Sequence, residues 1–222
     1  MKRYDTKFIL HVNQLDTIFN TIKNDYNVLD INHNRLMTYQ TIYFDTPNAR
    51  FYHLHHNGIA KRVKVRIRKY VESDVSFLEI KQKSNKGITN KTRKEIGANT
   101  LTLNEELLGF VAKTINQSYD LKPSMMNQFN RTTLVNTALV ERLTIDTNLS
   151  FDGRHINPDL AIIELKQKRA NRNSPLFKIL RELKIHPYSI SKYCIGMAAS
   201  NPGLKQNRFK DRIRQIHKIN AA

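Results

Sequence analysis

Between Ala60 and Tyr70 the chain reads AKRVKVRIRKY, and this alternation restricts what the segment can become. In an extended strand successive side chains point to opposite faces. Val63, Val65 and Ile67 then share one face, and Arg62, Lys64, Arg66 and Arg68 the other. The pattern recurs. Arg3, Asp5 and Lys7 share a face, as do Glu79, Lys81 and Lys83; Arg142, Thr144 and Asp146; and Glu164, Lys166 and Lys168. A sheet with one face in water accounts for any single strand of this kind. Repeated on at least five strands, the pattern sets like charges beside one another, which costs stability. Several of these faces also place a carboxylate two residues before a lysine: Asp5/Lys7, Glu79/Lys81 and Glu164/Lys166. A closed sheet with a polar tunnel inside, and helices packed on its apolar outside, meets both facts.

A tunnel lined by arginine and lysine needs an anion to offset the repulsion. Phosphate oxygens suit it, since arginine contacts them in bidentate fashion and lysine as a point charge. A carboxylate among them can hold a divalent ion that bridges to the phosphates, because hard oxygen ligands suit Mg²⁺ or Mn²⁺. Composition agrees. The 222 residues hold 37 Lys and Arg against 19 Asp and Glu, a net charge of +18, which implies an anionic partner. The expected partners exclude nucleic acid, because the charged faces carry carboxylates rather than a series of stacking aromatics.

The remaining motifs mostly exclude. There is no GxxxxGK[ST], so the phosphate site is not a P-loop, and neither GxGxxG nor HExxH occurs. One cysteine, Cys194, rules out a disulfide framework and reads as a buried small residue rather than a nucleophile. His53, His55 and His56 lie close together without metal-ligand geometry. No run approaches the roughly 20 apolar residues of a membrane span, and Phe8–Leu10 is too short for a signal peptide's apolar region. A cytoplasmic location is expected.

Strands are predicted at 3–10, 38–44, 60–70, 76–83, 90–96, 129–134, 137–146 and 160–168. Helices are predicted at 13–24, 104–116 and 176–183, the last capped by Ser174 with Pro175 at its first position. Residues 1–200 read as one α+β domain built on a closed antiparallel β-barrel. The tail at 201–222, with six Lys or Arg from Lys205 onward, reads equally as a docking helix on Phe209, Ile213 and Ile216 or as a frayed basic end.

In order along the chain stand RYDTKF at 3–8, YFDT at 43–46, KVRIRKY at 64–70, FLEIKQK at 77–83, NKTRKEI at 90–96, FNRTTL at 129–134, ERLTIDTNL at 141–149, AIIELKQK at 161–168 and SISKYCIG at 189–196. In this order and spacing they resemble the VTC domain, the polyphosphate polymerase domain of the triphosphate tunnel metalloenzyme superfamily. That resemblance implies an eight-stranded antiparallel tunnel with flanking helices. It implies metal-dependent transfer of the γ-phosphate of ATP onto inorganic polyphosphate, with Mn²⁺ or Mg²⁺. Triphosphate hydrolysis and non-catalytic polyphosphate binding are the alternatives. By the same resemblance Lys7, Arg66, Arg68, Lys81, Lys91, Arg131, Arg142 and Lys192 line the tunnel. Arg66, Arg68, Lys81 and Lys91 among them hold the nucleotide phosphates, and Glu164 holds the metal. The chain departs from the pattern at Asp5, where Glu is usual, and at Ser189, where many members carry Lys.

Overall fold

A computed structural model describes residues 4–138 and 140–219. Arg3, assigned above to the first charged face, lies outside the described residues, as do Leu139 of the strand expected at 137–146 and the last residues of the tail. The elements run β1 (Tyr4–His11), α1 (Gln14–Ile22), β2 (Tyr26–Val28), β3 (Leu36–Asp45), α2 (Arg50–His56), β4 (Arg62–Tyr70), β5 (Val75–Lys83), β6 (Thr89–Ile96) and α3 (Glu105–Ile115). They continue as β7 (Lys122–Asn136), β8 (Glu141–Phe151), β9 (Arg154–His155), β10 (Leu160–Gln167), α4 (Pro175–Glu182), α5 (Lys192–Ser200) and α6 (Asn207–His217).

All pairings are antiparallel, in the order β1-β10-β8-β7-β3-β4-β5-β6, with β2 on β7 and β9 on β8. This corrects the expectation of a closed barrel. The ten-stranded sheet stays open, with β1 at one edge and β6 at the other. Alternation assigns residues to faces but does not encode whether two edges meet. Part of the β1 edge is taken by another segment: the Tyr188 N–H donates to the Lys7 carbonyl at 2.7 Å. The inner faces of the two edges also carry Lys7 and Lys91, like charges that pairing would bring together.

The outer faces are apolar and covered. Phe8, Leu143, Ile163 and Leu165 pack under α1 and α4, against Ile18, Ile22, Leu176 and Leu180. Val65, Ile67, Leu78 and Ile80 pack under α3, against Leu107 and Val111. The Asn104 side chain caps α3 by accepting from the Leu107 N–H at 3.0 Å. A third core lies on the inner side, where Tyr39, Tyr43, Phe129 and Ile162 meet Tyr193, Ile195 and Met197 of α5. This helix therefore fills one end of the concave face.

Several boundaries differ from the sequence expectation. The strand placed at 129–134 is the second half of β7, which begins at Lys122 and contains Pro123 beside a register shift at Tyr43/Phe44. The strand expected from 137 starts at Glu141, after a turn. No helix among the described residues is long and apolar enough to cross a membrane.

Candidate functional site

The two open edges face a single cavity. Lys7 of β1 and Lys91 of β6 both line a space of about 290 Å³, together with Lys64, Arg66, Arg68, Lys81, Arg131 and Lys192. Strand alternation delivers all of these side chains but Lys192, which comes from α5, and neighbouring positions such as Phe8, Val65, Ile67 and Ile80 belong to the outer cores. Of the residues singled out from sequence, Lys7, Arg66, Arg68, Lys81, Lys91, Arg131, Lys192 and Glu164 converge here. Arg142 does not. It shares a face with Thr144 and Asp146 but is exposed toward the strand end and is not among the residues lining this cavity.

Three carboxylates pair with six of the cations lining the cavity. Glu79 accepts from Arg66 Nε at 2.7 Å, with Arg66 Nη2 at 2.6 Å, and pairs with Lys91. Asp146 takes a bidentate contact from Arg131, Nε at 2.5 Å and Nη2 at 2.7 Å, and pairs with Lys192. Glu164 stands 2.8 Å from Lys166 and 3.5 Å from Lys7. Cross-strand register explains these pairs. Arg66 lies opposite Glu79, Arg131 opposite Asp146, and Lys7 opposite Glu164.

Burial alone would raise these carboxyls. The cations outweigh it, and Glu79, flanked by Arg66, Arg68 and Lys91, falls to about 2. Asp146, beside Lys192 and Arg131, also falls to about 2, and Glu164 is held well below the usual carboxylate range by Lys166 and Lys7. The cations respond in opposite ways. Burial and repulsion from Lys64, Lys7 and Arg66 push Lys81 down to about 8. Burial likewise lowers Arg68 to about 10, with Arg66 adding to the effect. Arg66 and Arg131 are partly buried too, but their acid partners hold them firmly charged.

The floor is aromatic. Tyr39 and Phe129 stack with centroids 5.1 Å apart, and both are buried. Above them lie the guanidiniums of Arg131, at 5.0 and 5.2 Å, and of Arg68, at 5.4 and 5.7 Å, with Lys192 Nζ 4.4 Å from the Phe129 centroid. The ring faces thus support the cations.

The YFDT segment acquires a role that its sequence did not disclose. Asp45 is 1% exposed. Its Oδ1 accepts from the N–H groups of Thr46 and Phe51 at 2.7 and 2.8 Å, which ties down the start of α2. Its Oδ2 accepts from the Tyr52 N–H at 3.0 Å and the Tyr193 hydroxyl at 2.5 Å. Tyr193 follows Lys192, so Asp45 fixes the helix that carries a cavity lysine. Tyr43 lies over the same helix and accepts from Arg66 Nη1 at 3.2 Å.

Glu79, Asp146, Lys64 and Lys166 were missed as site residues. The signal was present, because each belongs to a charged alternate face, but face membership alone does not rank residues. The three histidines sit on α2. His55 Nδ1 lies 3.0 Å from Cys194 Sγ, where burial and then Lys64 push the imidazole down to about 3 and burial raises the thiol. Burial thus favours the neutral form of both groups. Among the described residues no group of three or more His, Cys, Asp or Glu could hold a metal ion. An ion held by one protein carboxylate together with substrate phosphates is a different arrangement. Glu164 fits it best, being 18% exposed where Glu79 and Asp146 are 2% and 3%, and lying between flexible lysines rather than an arginine fork.

Comparison with known proteins agrees with this geometry. The fold is similar to that of the putative adenylyl cyclase HpAC1 from Hippeastrum, at a TM-score of 0.56 and 13% identity over 90% of this chain and 96% of that one. Weaker likenesses include the PH1819 protein of Pyrococcus horikoshii, with a TM-score of 0.47 and 16% identity over 86% of this chain and 96% of that one. A conserved hypothetical protein of Pyrococcus furiosus scores 0.48 at 14% identity, over 87% of this chain and all of that one. No curated protein matches. The family model of the VTC domain matches residues 2–201, nearly the whole chain, and the chain belongs to that family.

Proposed function

We propose that the chain transfers the γ-phosphoryl group of ATP onto a growing inorganic polyphosphate chain, with Mn²⁺ or Mg²⁺ present. The observation that carries this reading is the convergence of cations from both sheet edges on one cavity. Phosphoryl transfer needs little covalent help from a protein, because positioning and charge stabilisation do most of the work. Arg66, Arg68, Lys81 and Lys91 hold the triphosphate, and Lys7, Arg131 and Lys192 orient the acceptor chain. A terminal phosphate oxygen of the acceptor attacks the γ-phosphorus. The new P–O bond forms as the bond to the β-phosphate bridging oxygen breaks, and ADP leaves. Arg66 stays charged throughout, so its charge and the N–H groups that Glu79 and Tyr43 leave free can offset charge building on the transferred group. Glu164 would hold the divalent ion with the phosphate oxygens, and the ion neutralises phosphate charge when bound. Arg142 has no part in this scheme.

Hydrolysis of a triphosphate is the second reading, favoured by the open seam between β1 and β6, which admits water to the phosphates. The Hippeastrum neighbour is described as having a dominant triphosphatase activity. One assay separates the readings. With ATP and Mn²⁺ or Mg²⁺, the proposal expects ADP in step with a polyphosphate ladder on a gel. ADP and free phosphate without polymer would assign hydrolysis. Tight polyphosphate binding with no turnover under either metal would leave a binding module.

A further inference from the structure

In the cavity described above, Glu79, Asp146 and Glu164 each stand between two cations, so six of its cations are paired with carboxylates. A second cavity of about 450 Å³ adjoins it, sharing Lys7, Lys64 and Lys81. Its other cations are Arg62 and Lys83, at the ends of β4 and β5, and Arg208 and Arg212 of α6. Among the described residues, none of Arg62, Lys64, Lys81, Lys83, Arg208 and Arg212 forms an ion pair with a carboxylate. Asp5, the carboxylate on its wall, lies within electrostatic reach of Lys166.

The two arginines are held in place without being neutralised. Arg212 donates from Nε to the Ser189 carbonyl and from Nη1 to the Arg208 carbonyl, both at 2.8 Å. Arg208 donates from Nη1 to the His56 carbonyl at 3.2 Å. A guanidinium has five N–H donors, so both keep donors to spare. Gly58 makes room for one of them, since a Cβ there would come within 2.4 Å of Arg208 Nη1. The helix itself is firmly seated. Phe209 is buried among Tyr52, His55 and His56, and the Asn157 amide donates to the Ile216 and Ile219 carbonyls at 2.7 and 2.8 Å. This helix lies beyond residue 201, where the family match ends.

We propose that the second cavity is a subsite for further units of an inorganic polyphosphate chain, and that α6 supplies Arg208 and Arg212 to hold them. The inference rests on the function proposed above. A chain already held in the first cavity presents its next phosphates here at high effective concentration, and they meet cations that no carboxylate neutralises. Single-stranded nucleic acid is a poorer fit, because Phe209 offers no free ring face for a base to stack on.

The test compares tripolyphosphate with a polyphosphate long enough to span both cavities, by calorimetry on the full chain. Wild type is expected to bind the longer chain more tightly. Arg208→Gln with Arg212→Gln should weaken the longer chain about ten-fold or more, as expected for lost charge-assisted contacts, while tripolyphosphate affinity stays within about two-fold. Equal loss for both ligands, or no loss for either, overturns the subsite. So does a single-stranded RNA that competes as well as the long chain. Because Arg212 also fastens Ser189, Lys83→Ala provides a second variant without that contact. It should lower long-chain affinity about three-fold and spare tripolyphosphate, and an unselective effect would again overturn the proposal. Wild type binding neither anion at low salt would instead overturn the function on which the subsite rests.

Discussion

Glu164 and Glu79 are both glutamates between cations, yet their surroundings set them to different tasks. Glu79 is sealed between Arg66 and Lys91, so its loss should be felt as stability. Glu79→Gln removes the buried charge that pairs with the partly buried Arg66 and is expected to cost about 1–3 kcal/mol in urea unfolding. The pH dependence follows the same logic. A folded pKa near 2 lies below the unfolded value of about 4.3, so the Glu79 contribution is complete above the unfolded value and drains as pH falls from about 5 toward 2. Stability of the wild type should drop through that window, and the Gln variant should show a flatter acid limb. Lys81 has the opposite sign. Its folded value near 8 lies below the unfolded value of about 10.4, so the unfolded chain binds more protons between them and stability rises with pH there. Triphosphate binding should weaken over the same range as the ammonium is lost. Glu164→Gln, in contrast, should leave metal-free triphosphate binding intact or tighter while cutting turnover by about 10²-fold, the scale of one lost transition-state contact. Equal losses in binding and turnover would remove Glu164 from the metal role.

At the scale of elements, legibility followed amphipathicity. The strands β1, β4, β5 and β10 were readable because each has one largely apolar and one charged face, whereas β6 was readable only from Lys91, Arg93 and Glu95 on one side. The helix α3 was readable from its apolar stripe and its Asn104 cap. The helix α5 was not, since Tyr193, Cys194, Ile195, Gly196, Met197 and Ala198 are all buried and leave no polar face to set a period. Nor was α2, a short helix whose start is fixed by Asp45 rather than by its own sequence. The cavity cations were visible as a face, whereas Asp45 was invisible as a clamp because its partner Tyr193 lies 148 residues away. This clamp is testable. Tyr193→Phe removes one acceptance at a buried carboxylate and should cost about 1–3 kcal/mol. A crowding variant reaches the same helix from another side. At Gly196 a Cβ would lie 2.5 Å from both Met125 Cε and Phe151 Cδ1, so Gly196→Ala should cost about 1–3 kcal/mol. If α5 positions Lys192, both variants should weaken triphosphate binding beyond what their lowered melting temperature explains. A fall in stability with unchanged affinity would make α5 a packing element only.

For the molecule as a whole, face assignment and closure proved to be separate questions. The charged faces do turn toward one another, but the strands at the two edges do not pair, and nothing in a period-two pattern could have told the difference. The outcome, in a chain of net charge +18, is two adjoining cavities in which cations outnumber carboxylates, the first with most of its cations paired and the second with most of them unpaired with a carboxylate. Self-repulsion of this kind destabilises the compact state and is screened by salt, over a distance of about 10 Å at 0.1 M. Added sodium chloride should therefore raise the melting temperature of the free protein. Tripolyphosphate should raise it further at low salt, because an anion bound only by the folded state adds about 2.7 kcal/mol at a hundred-fold excess over Kd. At 150–250 residues that corresponds to about 5–11 °C. Salt should then act in the opposite direction on the complex, since it screens the attraction that holds the anion. A scan of melting temperature against salt, with and without tripolyphosphate, is expected to give slopes of opposite sign that meet at high salt. Parallel slopes would mean that the anion binds the basic surface at large rather than the cavity between β1 and β6.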